Sequence, residues 1–328
     1  MALPTADVIE ILGDNLRLRG SVLPISSRRA TRWTRGLGLP RGGETVLYTG
    51  QMYQLIPYIE GLVRAESRLG ETPLARLTGL GRRINKLVNV SAFMTRPSRA
   101  EREEFDRVPR AVVRLLRDAG VAFGSLYEDD LYSGTLAHDL GLDELVAAHA
   151  RRVYEIFRKH GVRTVITIDP HTTNMLRSVY PQLLEDYDVE VKSYLEVLAE
   201  RDGSRQAPPA GDAVIHDSCV FARYEGVVDE PRALLARAGV TVVEPGSSGR
   251  LTWCCGGPVE ALYPEKALAQ AERRVAQLRA AGTTCVTMCP LCLVNLSKAA
   301  GGTVAFHDIS EVLLAASERA AGRPAPTL

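Results

Sequence analysis

The residues best equipped for chemistry are six cysteines, all between Cys219 and Cys292 of a 328-residue chain. Five of them are grouped: Cys219 alone, the pair Cys254 and Cys255 followed by Gly256 and Gly257, and the turn Cys289-Pro290-Leu291-Cys292. Thiolate is a natural ligand for zinc and for iron–sulfur clusters, and a Cys-x-x-Cys spacing lets two sulfurs converge on one centre. The apolar run 284–288 followed by Cys289-Pro290 reads as a buried strand opening into a helix. Thiols at such a junction sit near a helix N-terminus, whose dipole and unpaired N–H groups favour thiolate over thiol. Neighbouring side chains on an extended chain diverge, so Cys254 and Cys255 as joint ligands suit a bulky multi-iron centre better than one tetrahedral ion. Five thiols also exceed the four that a closed zinc site uses. Gly256 and Gly257 permit close backbone approach. Cys285, four residues before Cys289 on the same strand, reads as a buried apolar thiol.

Composition narrows the context. Disulfides staple small secreted domains, whereas this chain is long and opens without a basic stretch leading into an apolar core. No run approaches eighteen apolar residues, so no spanning helix is expected, and the expectation is a cytoplasmic protein that meets a membrane only through a partner. Forty Lys and Arg against thirty-nine Asp and Glu give a net charge of +1, without the basic excess that nucleic-acid binding draws on. Hydrophobic residues at 45% and charged residues at 24% are those of a globular protein, long enough for two domains of about 150 residues each. Neither a GxxxxGK[ST] loop nor a GxGxxG fingerprint occurs.

The elements that must position the cysteines occur twice. Ala119-Gly120-Val121 matches Ala238-Gly239-Val240, and Ala150-Arg151-Arg152-Val153 matches Glu272-Arg273-Arg274-Val275. The apolar strands 164–168 and 284–288 follow, ending at the turns Asp169-Pro170-His171-Thr172 and Cys289-Pro290-Leu291-Cys292, each opening a helix. Strands alternating with helices at this spacing predict an α/β protein of two tandem βαβ domains, each with a mainly parallel sheet and related by a pseudo-twofold internal repeat. Residues 1–45 read as a basic N-terminal extension, 46–205 as the first domain and 206–328 as the second. The extension carries Arg28, Arg29, Arg32, Arg35 and Arg41 around Trp33, with a short amphipathic helix at 6–18. It reads as a solvated arm, or else as a docking segment for an acidic partner. An insertion near 70–104 holds a basic amphipathic stretch, with Leu74, Leu77, Leu80, Ile84 and Leu87 among Arg76, Arg82, Arg83 and Lys86. Packing against the domain, or a membrane or partner contact, would use it.

With these residues in view, Cys-x34-Cys-Cys-Gly-x32-Cys-x-x-Cys resembles the CCG, or cysteine-rich, domain of the heterodisulfide reductase B-subunit family. The resemblance covers about residues 46–315, because family members carry two such domains in tandem. It implies that Cys219, Cys254, Cys255, Cys289 and Cys292 hold one [4Fe-4S] cluster, noncubane in type, while some members carry zinc or a conventional cluster. It also implies an oxidoreductase subunit that exchanges electrons with a ferredoxin-like iron–sulfur subunit or a flavoprotein subunit, and a disulfide, thiol or persulfide substrate. A pure relay within a lactate- or glycolate-type flavin dehydrogenase complex and a zinc-bound structural subunit are the alternatives. A thiol redox sensor, pairing Cys254 with Cys255 or Cys289 with Cys292, is a third.

The first half departs from the motif. Gln51 stands where the first cysteine is expected, Tyr132-Ser133-Gly134 replaces Cys-Cys-Gly, and Asp169-Pro170-His171-Thr172 replaces Cys-x-x-Cys. All five sulfurs are gone while the glycine and proline remain, so the fold is expected to persist without its cluster. Asp169 and His171 are two metal-capable groups without a third, and a hydrogen-bonded polar pocket is expected there. His216, three residues before Cys219, is the candidate catalytic residue, placed to hydrogen-bond cluster sulfur or protonate a leaving thiolate; a structural histidine at a strand end is the other reading. His307 could line the same crevice, and His138, His149 and His160 take no role.

Overall fold

The computed structural model describes residues 5–23, 25–69, 97–201, 207–208, 210–260 and 263–323. The apolar runs singled out in the sequence become the strands of two parallel four-stranded sheets. The first contains β1 (Thr45–Tyr48), β2 (Gly124–Ser125), β3 (Thr164–Thr167) and β4 (Glu190–Ser193) in the order β2-β1-β3-β4. The second contains β5 (Gly211–His216), β6 (Val240–Val243), β7 (Thr284–Thr287) and β8 (Ala305–Asp308) in the order β6-β5-β7-β8. The two orders coincide when β5 is laid on β1, so the repeat in sequence is a repeat of topology. Central strands of such sheets are covered on both faces, which is why they read as continuous apolar runs. Val46 and Leu47 pair with the buried Val165 and Ile166, and Ile215 pairs with Val286.

Helices fill the crossovers. They are α1 (Thr5–Arg19), α2 (Met52–Leu69), α3 (Arg99–Asp118), α4 (Asp143–Lys159), α5 (Pro170–Asn174) and α6 (Tyr194–Glu200) in the first half. The second half adds α7 (Asp229–Arg237), α8 (Pro264–Ala281), α9 (Pro290–Ala300) and α10 (Ile309–Ala320). Helix α3 begins at a capping box, in which Ser98 accepts from Glu101 N–H and the Glu101 carboxylate accepts from Ser98 N–H. Its buried face, Phe105, Val108, Val112, Leu115 and Leu116, follows helical spacing. One apolar core joins the halves, bringing Ile166, Tyr194 and Leu195 together with Ile215, Phe221, Ile309 and Val312. Arg114 and Glu318 form an ion pair across the same junction.

The N-terminal extension is not a solvated arm. Leu16, Val22, Leu23, Ile25 and Trp33 are buried, the first four in a core shared with Tyr48, Val153 and Phe157. The arginines between them are used as anchors: Arg32 Nη2 lies 2.9 Å from Asp106, and Arg110 donates to the Trp33 carbonyl at 2.6 Å. The apolar residues scattered among the charges outweighed the basic character in setting where the segment lies. The basic amphipathic stretch at 74–88 lies outside the described residues. Among those described, no helix is long and apolar enough to cross a membrane.

Candidate metal centre

Parallel sheets of this order place their sites outside the carboxyl ends of the strands, where the chain direction switches. The cysteines occupy that place in the second half. Cys219 lies three residues beyond β5, Cys254 and Cys255 in the loop after β6, and Cys289 and Cys292 at the start of α9 after β7. Their sulfurs form a string: Cys219 Sγ is 4.0 Å from Cys254 Sγ, Cys254 hydrogen-bonds Cys255, Cys292 Sγ is 3.3 Å from Cys255 Sγ, and Cys289 closes the run against Cys292. Cys255, Cys289 and Cys292 are buried, while Cys219 and Cys254 are partly open. Cys285 is buried outside the string, and burial pushes its thiol up to about 12.

The protons along the string are not evenly held. Thiol donation from Cys219, then Cys255, draws Cys254 far below the usual thiol range, and Gly256 N–H adds a bond to its sulfur at 3.3 Å. Burial opposes ionisation of Cys289, yet donation from the Cys292 thiol and from His171 draws it well below that range. Cys219, Cys255 and Cys292 are correspondingly raised. The backbone around them has no room to spare: a Cβ on Gly256, which sits at φ 83°, would lie 2.5 Å from the Ala267 carbonyl oxygen. Among the described residues no three His, Cys, Asp or Glu side chains are drawn together to grip a single metal ion. An extended run of thiols on three loops fits the donor set of an iron–sulfur cluster.

His216 ends β5 fully buried, and its Nδ1 accepts from Arg274 Nε at 3.1 Å. Burial, reinforced by Arg274, holds its pKa down to about 3, so the ring is neutral with its proton on Nε2. That Nε2 has no partner, and the His216 ring makes no hydrogen bond to a cysteine sulfur. Arg274, buried on α8 between Ala271, Val275 and Leu278, was not foreseen; its only signal was a charge on the apolar face of a helix. It also donates to the Ser247 carbonyl at 2.8 Å. His307 is half-buried on β8, and it is the next residue, Asp308, that reaches the first half by accepting from Tyr53 Oη at 2.5 Å.

In the first half, Asp169 caps α5 as Cys289 heads α9. Asp169 Oδ1 accepts from Thr172 N–H at 2.9 Å, whereas the Cys289 side chain makes no such cap bond. Gly134 and Gly256 share a left-handed backbone, at φ 91° and 83°. The expected satisfied pocket is not what forms. Gln51 Oε1, Asp130 Oδ1, Asp169 Oδ2 and Thr172 Oγ1 are all buried without partners. Burial raises Asp169 to about 6 and Asp130 to about 7. No motif pointed to Asp130, which accepts from Thr49 N–H and Oγ1 at 3.0 and 2.9 Å. His171 does not stay in its own half: it hydrogen-bonds Cys289, and although burial pulls its pKa down, this bond lifts it to about 9.

Tandem parallel sheets with a thiol string at the strand ends define a class, the cysteine-rich α/β proteins. Residues 213–297 match the cysteine-rich domain family CCG. The second half is therefore similar to the CCG cysteine-rich domain, and the chain as a whole is similar to proteins named as oxidoreductases. It is 33% identical over 236 residues to the EtfAB:quinone oxidoreductase of Syntrophomonas wolfei, covering 66% of this chain and 33% of that one. It is 31% identical over 220 residues to a Bacillus subtilis protein named "Probable iron-sulfur-binding oxidoreductase FadF", covering 63% and 31%. It is also 31% identical over 198 residues to one component of the dihydromethanophenazine:CoB–CoM heterodisulfide reductase of Methanosarcina mazei, covering 57% and 48%. The chain spans a third to a half of the length of these relatives. Each of these relatives is named as an oxidoreductase or as part of a reductase, one of them as iron–sulfur-binding.

Proposed function

We propose that Cys219, Cys254, Cys255, Cys289 and Cys292 hold one noncubane [4Fe-4S] cluster, and that the chain is the relay subunit of a cytoplasmic oxidoreductase complex, standing between a flavoprotein and a ferredoxin-like iron–sulfur protein. The observation that carries this reading is the five-sulfur string at the carboxyl ends of the second sheet. A bound cluster supplies one-electron chemistry. The chain's own groups prepare its seat. Gly256 N–H donates to Cys254 and His171 to Cys289, the two most acidic sulfurs, and they hold negative charge there. Burial of Cys255, Cys289 and Cys292 keeps water from three of the five ligands. Splitting a disulfide between two facing clusters needs thiols in both halves, and the first half offers Gln51, Tyr132, Ser133, Asp169 and Thr172 instead. Relay is therefore favoured over that two-centre chemistry.

One observation favours a second reading, in which a thiol, disulfide or persulfide substrate is handled at the same site. His216 presents a buried, neutral and unpartnered Nε2–H, a donor that could serve a sulfur leaving group. An anaerobic redox titration followed by electron paramagnetic resonance separates the readings. Relay predicts one species taking up one electron, with a spectrum unmoved by added 2-mercaptoethanol. A spectrum that moves with the thiol supports the second reading. A protein that holds zinc and shows no reducible species overturns both.

A further inference from the structure

Seven large apolar side chains are exposed among the described residues: Leu18, Tyr224, Leu251, Trp253, Val259, Tyr263 and Leu268. Six of them fall between positions 224 and 268, the stretch that carries Cys254 and Cys255. Scattered exposed residues need no explanation, but a concentration of this kind marks an interaction surface. The segments are tied together. Arg223 donates to the carbonyls of Arg250 and Thr252, fastening the turn that bears Tyr224 to the loop that bears Leu251 and Trp253. Tyr263 N–H donates to the Val259 carbonyl at 2.8 Å. The two partly open thiols, Cys219 and Cys254, lie on these same segments, whereas the other three are buried.

The charges on this face are mostly of one sign. Arg223 bonds to carbonyls, Lys266 stands 4.8 Å over the Tyr263 ring, and Arg250 is exposed. Among the described residues none of the three is in an ion pair with a carboxylate. Of the nearby acids, the Glu225 side chain is turned inward to Asn174 and Ser178, and Glu260 faces Lys298 at 4.0 Å, so among the described residues Glu265 and Asp229 are the exposed acids set against the three cations.

We propose that the face formed by Tyr224, Leu251, Trp253, Val259 and Tyr263 is the docking surface for an acidic one-electron carrier protein. The carrier's cofactor edge is apolar and ringed by carboxylates. The proposal rests on the iron–sulfur reading and says through which face its electrons pass. The apolar centre, with Trp and Tyr as anchors, brings the carrier against the open edge of the cysteine site, and the cationic rim steers its approach. In the step itself the reduced carrier loses one electron and the site gains one, with no bond made or broken. Encounters of this kind are small and release quickly.

The two tryptophans provide the test, since Trp33 is buried at 2% exposure and Trp253 is exposed at 43%. The full chain, purified anaerobically, is titrated with a plant-type [2Fe-2S] ferredoxin as the acidic carrier and with cytochrome c as a basic one, following tryptophan emission. Docking predicts a saturable change with ferredoxin and none with cytochrome c. It further predicts binding weakened about tenfold by Arg250→Glu with Lys266→Glu, and weakened by added salt. Leu251→Ser should weaken binding while leaving the buried core untouched. Binding unchanged in these variants, a preference for cytochrome c, or a concentration-dependent dimer that Leu251→Ser dissolves would each overturn the proposal. Because the emission reports contact and not electron flow, docking by a chain that holds no iron would leave this surface standing while the iron–sulfur reading fell.

Discussion

The two halves share a sheet order, a proline-opened helix after the third strand and a left-handed glycine after the second, yet only one of them gathers sulfur. Asp169 and Cys289 both stand at the head of a proline-opened helix, but only Asp169 caps it, accepting from Thr172 N–H. The helix start is therefore a property of the fold, and whether it is capped or offers a thiol is a choice of side chain placed on it. Removing the thiols did not leave an apolar plug. It left buried oxygens on Gln51, Asp130, Asp169 and Thr172 without partners, and a histidine, His171, turned out of its own half onto Cys289. Buried unpaired polar atoms cost stability and persist where something else requires them. The first half thus reads as the polar wall of the second half's site.

The largest effect expected from breaking this contrast is on metal. Cys255→Ala should take the iron content from about four per chain to below one, while Gln51→Ala should leave it unchanged. Iron lost equally in both variants would mean that the halves do not differ as described.

A smaller effect tests the backbone. Gly134→Ala and Gly256→Ala each force a side chain into left-handed geometry at a cost of about 1–2 kcal/mol. The Cβ at 134 finds its nearest neighbour, His149 Cδ2, at 3.5 Å, whereas that at 256 would overlap the Ala267 carbonyl at 2.5 Å. Denaturant unfolding should therefore show Gly256→Ala as clearly the more damaging of the two. Equal losses would refute the tighter seat assigned to the second half.

The smallest effect is on pH dependence. Burial raises Asp130 to about 7, so the fold favours its protonated form. The stability this confers is fully present below the ordinary carboxylate range and is lost as pH rises through about 7. Asp130→Asn should flatten the decline in unfolding midpoint between about pH 4 and pH 7. A decline of the same steepness in the variant would show that Asp130 is not the buried acid described.

Much of this was legible in the sequence, for reasons of local geometry. A strand that ends at Asp-Pro or Cys-Pro fixes a turn and a helix start, so the repeat could be read from spacing, while the five-cysteine ligand set is what the resemblance to the CCG motif implies. What could not be read depended on where the halves meet. His171 and Cys289 are 118 positions apart (289 minus 171), and no periodicity shows that their helices face one another. Arg274 behind His216 was hidden likewise, because an arginine in a helix pattern reads as solvent-facing until its neighbours are known. The N-terminal segment misled in the opposite way: its arginines suggested exposure, and Trp33 and Leu16 decided for burial.

The central claim is that one half carries a cluster and the other does not. Iron, acid-labile sulfide and zinc counted per chain in anaerobically purified protein test it most directly. The account predicts about four irons with about four sulfides and no zinc. About eight of each would place a cluster in the first half as well, and one zinc without iron would contradict the electron-transfer reading outright.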